Sequence, residues 1–177
     1  MSSFTTELEV SPQGNGGDWR LLKAFVYHVG SKFSRKYIRV PAGFITDFAS
    51  IPRIFRFFLP EWAKYSKAPV LHDWLYQTNG KSSNLPCTWE NKHPYECTRK
   101  EADQIFLEAM LVDWQYHKSR HFVANLEYWA VRLCGGFAWR SDGGMGDVQY
   151  GVGKKLRMED LDNTVRYAPI AIDGGKK

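Results

Sequence analysis

Long apolar runs are missing from this chain: nothing in its 177 residues approaches the roughly 18 apolar residues of a bilayer-spanning helix. The opening Met1-Ser2-Ser3-Phe4-Thr5-Thr6-Glu7 lacks the basic start and apolar stretch of a signal peptide, so synthesis and folding in a cytoplasm are expected. Cysteine is scarce. Cys87, Cys97 and Cys134 are odd in number and have no CxxC spacing, which argues against both a zinc site and a disulfide framework. A Cys87–Cys97 bridge is conceivable only in an oxidising setting, and reduced thiols are the default. Charge of one sign is nowhere dense. The 24 Lys and Arg are interspersed with 19 Asp and Glu for a net charge of +5, without the basic stripe of a nucleic-acid binder.

Several catalytic signatures are absent as well. There is no Gly-x-Ser-x-Gly or His-Glu-x-x-His, and Gly143-Gly144-Met145-Gly146 lacks the Lys-Ser/Thr ending and following helix of a phosphate loop. His93 with Cys87 and Cys97 fits no zinc spacing, and His117 and His121 straddle a helix boundary at Ser119. Apolar and aromatic residues, by contrast, are plentiful. At 44% hydrophobic and 15% aromatic, the chain can bury a proper core in one folded domain.

The N-terminal half reads as strands. Phe4 to Val10 alternates moderately, residues 11–18 form a turn by composition, Trp19 to Val29 is one strand-like run, and Lys36 to Val40 alternates again. These predict an antiparallel meander of about three strands, with Phe44-Ile45 as a short addition. The period then changes. Ser50-Ile51-Pro52-Arg53 looks like a helix start, and Pro69 can open a helix that runs to about Gln77 and is stopped by Asn79-Gly80. Residues 79–98 have no period and read as a surface insertion. Thr98 with Glu101 makes a capping box for a helix carrying Ala102, Ile105, Phe106, Ala109, Met110 and Asp113. A last helix starts near Ser119 and is expected to bury Phe122, Val123, Leu126, Trp129, Ala130 and Leu133, with Gly135-Gly136 as its C-cap. The expectation is an α+β domain over 1–140, a small antiparallel N-terminal sheet packed on about three helices. An irregular, glycine-rich C-terminal segment, 141–177, follows and is expected to order on a partner.

Polar groups in apolar company mark the candidate site. His72, Leu75 and Tyr76 share one helix face, while Asp103 lies in a stripe with Phe106, Leu107 and Met110. A carboxylate in such a stripe needs a donor. Packing the two helices antiparallel predicts a His72–Asp103 pair, with Asp103 fixing the imidazole tautomer and His72 as the catalytic base. Asp47 and Asp73 together suit a hard divalent cation or a polar substrate group. Arg53, as an anion clamp, and Tyr76 are the candidate substrate contacts. The plainer alternative is structural: Asp47 caps its turn, Arg53 neutralises it, and His72–Asp103 is a buried link between helices.

Three segments, VPAGFITDFASIPR, HDWLY and RKEADQIFLEAM, resemble in order and spacing the phage- and prophage-associated family of unknown function numbered 1353. The likeness runs from about Trp19 to Trp139, with 79–98 lengthening the link between the second and third segments. It implies a setting, tailed phages and prophages, and no mechanism. His-Asp-x-x-Tyr followed by a second Asp-bearing helix is also similar to the catalytic helices of secreted phospholipases A2. That likeness implies His72 as the water-activating base, Asp73 as a calcium ligand, Asp103 as the orienter and Tyr76 as support for Asp103. The glycine-rich calcium loop and the disulfides of those enzymes are missing here.

Two functions follow from these readings. The leading one is a virion-associated structural or adaptor protein of the tail, neck or capsid, made in the host cytoplasm and bound to other phage proteins. The alternative is a small hydrolase acting on a cell-envelope component through His72 and Asp103. A separation of the pair beyond about 6 Å, or a His72 sealed from solvent without a cavity, counts against the hydrolase.

Overall fold

The computed structural model describes residues 3–14, 17–34, 36–48, 63, 66–80, 97–139, 149–150 and 154–155. The expected helix start at Ser50 and the expected site residue Arg53 lie outside the described residues, as do Cys87 and His93.

Six short strands come first: β1 (Ser3–Phe4), β2 (Val10–Pro12), β3 (Trp19–Leu21), β4 (Phe25–His28), β5 (Tyr37–Val40) and β6 (Ile45–Thr46). They form two three-stranded antiparallel sheets, ordered β1-β4-β5 and β2-β3-β6, so the chain passes back and forth between them. The run from Trp19 to Val29 is therefore two strands, not one. Leu22 and Lys23 are both exposed, which breaks the inside–outside alternation, and the bend there moves the chain from one sheet to the other. Pro12 is tolerated because β2 is an edge strand, where a missing N–H strands no partner. A separate two-stranded pair, β7 (Gln149–Tyr150) and β8 (Lys154–Lys155), lies in the glycine-rich segment.

Among the described residues three helices follow the sheets: α1 (Lys67–Gln77), α2 (Arg99–Asp113) and α3 (Arg120–Cys134). With the two sheets they make the α+β fold. Helix α2 is packed between α1 and α3, and α1 also rests on β5 and β6. The core joins Leu21, Phe25, Ile38 and Phe44 of the sheet region to Leu71, Trp74, Phe106 and Met110 of the helices.

Each helix end has its own physical cause. Ser66 gives α1 no side-chain cap; instead Asp113 Oδ2, at the far end of α2, accepts the Lys67 N–H at 2.7 Å and the Ala68 N–H at 3.2 Å. These are two of the orphan donors of a helix start, satisfied from another helix, and they fix α1 and α2 antiparallel. That is why α1 begins two residues before the expected Pro69. At its other end Asn79 and Gly80 take left-handed φ of 54° and 68°. Helix α2 has the expected capping box, with Thr98 and Glu101 bonded reciprocally.

Helix α3 differs from expectation in its face. Phe122, Trp129 and Leu133 point outward, at 74%, 60% and 77% exposure, and Leu126 is half-buried. The buried face is Val123, Ala124, Glu127, Ala130 and Val131. Two apolar stripes lie side by side on this helix, and the one with the smaller side chains is packed against α2. Gly135 is not a left-handed cap either: its φ is −70°, and the chain continues into a 3-10 turn over Gly135–Phe137. Its lack of a side chain serves packing, since a Cβ there would stand 2.6 Å from the Tyr76 hydroxyl.

Candidate functional site

The antiparallel pairing of α1 and α2 brings His72, Tyr76 and Asp103 together in the core. His72 Nε2 lies 3.0 Å from Asp103 Oδ1, and the Tyr76 hydroxyl donates to the same oxygen at 2.6 Å. Arg132 of α3 completes the cluster, its Nη1 donating to Asp103 Oδ2 at 2.7 Å. Arg99 in turn donates to the Arg132 carbonyl oxygen at 3.1 Å. One carboxylate thus ties three helices together. His72 and Asp103 are fully buried, Tyr76 nearly so, and the Arg132 side chain reaches solvent.

Burial and charge set the protonation states. Burial pushes the His72 imidazole below its ordinary range, outweighing the hydrogen bond and charge of Asp103. Burial alone would raise Asp103, yet the donors His72, Tyr76 and Arg132 together hold it low. Burial and the bond to Asp103 push the Tyr76 phenol far up. At neutral pH the cluster is a carboxylate, a guanidinium, a neutral phenol and a neutral imidazole. Since Asp103 can only accept, the imidazole proton sits on Nε2, and Nδ1 carries a bare lone pair. Among the described residues no hydrogen-bond partner lies within reach of Nδ1. The ring is held in place by Phe106, stacked at 4.4 Å, and by Tyr76 at 4.2 Å.

Asp73, next to His72 in the chain, looks the other way. Its buried Oδ2 accepts from the Thr46 hydroxyl at 2.5 Å, linking α1 to β6. The same hydroxyl accepts the Phe48 N–H at 3.2 Å and so holds Phe48 at φ 51°, a strained conformation for a bulky residue. Asp47, between them, has an exposed side chain. Among the described residues no group of three or more His, Cys, Asp and Glu side chains is placed to hold a metal ion. Asp47 and Asp73, the expected cation site, belong to no such group.

Sequence reasoning found the His72–Asp103 pair; Tyr76, expected as a substrate contact and placed beside Asp103 only by the phospholipase resemblance, is instead buried with its hydroxyl committed to Asp103. It missed Arg132, which lies far along the chain on another helix at no telling spacing. It also missed Thr46, although a polar residue after the buried Phe44-Ile45 pair was a usable signal. Cys97 is a free thiol, pushed up to about 12 by burial.

Fold and cluster together define a class: an α+β protein whose helices are joined by a buried His–Asp–Tyr–Arg network. Residues 19–131 match the family model described as "Protein of unknown function (DUF1353)", and the chain belongs to that family. The matched span includes His72, Tyr76 and Asp103 and ends one residue before Arg132. No curated protein and no solved structure matches the chain.

Proposed function

We propose that the chain is a virion-associated structural or adaptor protein whose buried His72–Asp103 network locks its helices together; the observation that carries this reading is that His72 and Asp103 are both fully buried, His72 Nδ1 included. The orientation of the neutral imidazole, with Nε2–H committed to Asp103 and the Nδ1 lone pair without a partner among the described residues, favours a second reading, a hydrolase with His72 as general base and Asp103 as its orienter. A lone pair so held can take a proton from water as the water oxygen attacks an electrophilic carbonyl or phosphoryl centre. Asp103 then stabilises the imidazolium, Tyr76 and Arg132 keep Asp103 ionised and fixed, and the proton passes to the leaving group. The phage setting implied by the sequence resemblance favours a cell-envelope component as substrate.

Full burial of His72 stands against this second reading, because a general base must be reached by water or substrate. His72→Gln separates the two, because glutamine keeps an amide N–H for Asp103 but has no basic nitrogen. Purified protein is incubated with phospholipid vesicles and with peptidoglycan, and released products are followed by mass spectrometry. No release by the folded wild type is the expected result; release that falls at least about 100-fold in His72→Gln, with the melting temperature held, would give the cluster to the hydrolase. If the folded wild type releases nothing from either material, or the variant keeps its activity, the hydrolase reading is lost. Detection of the chain in purified phage particles would then carry the adaptor reading.

A further inference from the structure

Strand β5 lies at the edge of one sheet and β2 at the edge of the other. The hydrogen bonds fix which of their backbone groups face outward. The Val29 N–H donates to the Lys36 carbonyl oxygen at 2.9 Å, so by alternation the directly opposed pair Val26 and Arg39 exchanges no bonds. Val26 instead spends its C=O and N–H on Thr5 of the β1 side, each at 3.0 Å. The N–H and C=O of Arg39 therefore point away from the sheet. On β2, the bonds from Leu22 to Glu9 and from Gln13 to Asp18 turn the main chain of Glu9 and Ser11 toward β3 and that of Val10 outward. Leu21, opposite Val10, agrees, since its own groups bond to Gly43 and Phe44 on its other side. Leu8 has the same parity as Val10. Among the described residues none of these outward groups of Leu8, Val10 and Arg39 has a partner.

Open edges are ordinarily guarded by charge, and here the two guards differ in sign. Arg39, half-buried between the fully buried Ile38 and Val40, lies on the outer face of β5. Glu9 is exposed between Leu8 and Val10, which pack against the core, so it too lies on the outer face. Arg39 has no ion pair among the described residues. Glu9 has an exposed contact with Lys23 at 3.4 Å, which is worth little. Two β5 edges brought together set cation near cation, and two β2 edges set carboxylate near carboxylate. Only β5 against β2 brings opposite charges together.

Parity also selects the direction. In a parallel ladder a residue with outward groups stands opposite one whose groups face away, and bonds to that residue's two neighbours. Arg39 opposite Glu9 then donates to the Leu8 carbonyl oxygen and accepts from the Val10 N–H. The same register sets Ile38 beside Leu8 and Val40 beside Val10 on the inner face. An antiparallel pairing puts Arg39 opposite Leu8 or Val10 and so mismatches the faces.

We infer that β5 of one copy of this chain pairs in parallel with β2 of the next, with Arg39 opposite Glu9. The contact joins two different edges, so each added copy leaves one of each open and the chain grows head to tail into a ring or a filament. It does not depend on what the buried cluster does. The test is analytical ultracentrifugation of the full chain over a concentration series. The wild type should grow past a dimer as concentration rises. Glu9→Arg alone and Arg39→Glu alone should each hold it as a monomer, and the double variant Glu9→Arg/Arg39→Glu, with the signs exchanged, should assemble again. Val10→Pro removes an outward N–H without touching the β2–β3 ladder and should also weaken growth. Circular dichroism identifies the variants that are folded. The inference is overturned if the wild type is monomeric at every concentration, or if it stops at a dimer, which marks a two-fold contact. It is equally overturned if a folded single variant assembles like the wild type, or if the folded double variant does not assemble.

Discussion

At the scale of single residues, two buried acids behave in opposite ways. Asp103 is surrounded by donors and stays ionised; among the described residues neither carboxylate oxygen of Glu127 has a hydrogen-bond partner. Burial pushes the Glu127 carboxyl up to about 8 from 4.5, so at neutral pH it is a protonated acid. The sign of the linkage follows. Between those two values the folded state holds a proton that the unfolded state has released, so stability is fully present below 4.5 and is lost as pH rises through about 8. The whole loss is on the order of 3–5 kcal/mol. Glu127→Gln should remove this dependence, and urea unfolding of both proteins across the range checks it. His72 and Asp103, both held low, give the opposite slope at acid pH and are shared by wild type and variant, so the difference isolates Glu127.

At the scale of elements, local chemistry was legible in the sequence and long-range choices were not. The Thr98–Glu101 box, the 3,4 spacing of α2 and the stop at Asn79-Gly80 act within a few residues, and each was readable. Thr98→Ala removes the oxygen that accepts the Glu101 N–H at 3.3 Å, and should cost about 1 kcal/mol in chemical denaturation. Three choices escaped because their causes lie elsewhere in the chain. Asp113 starts α1 from the far end of α2. Arg132 reaches Asp103 from α3. Helix α3 turns its larger side chains outward because the space against α2 suits Ala124, Ala130 and Val131 better than Trp129. The His72–Asp103 pair was legible for a simple reason: two polar residues stranded on apolar stripes of neighbouring helices have few other places to go.

At the scale of the molecule, the chain divides into two parts that meet at a neck. Gly80, just past the end of α1, accepts the Cys97 N–H at 3.1 Å, and a Cβ on Gly80 would run into the Cys97 carbonyl. Gly80 and Cys97 thus meet at one point, while α1 and α2 are held in register by Asp113 at one end of their contact and Asp103 nearer the other. The covalent link is therefore not what aligns them. Opened within 81–96, the protein becomes two polypeptides, one bringing the imidazole and the other its carboxylate. Coexpressed as 1–80 and 97–177 with a tag on one piece, the two should copurify. Asp113→Ala in the second piece should lower the yield of the pair. The neck would then serve as a seam for a reporter whose assembly is governed by a buried polar contact.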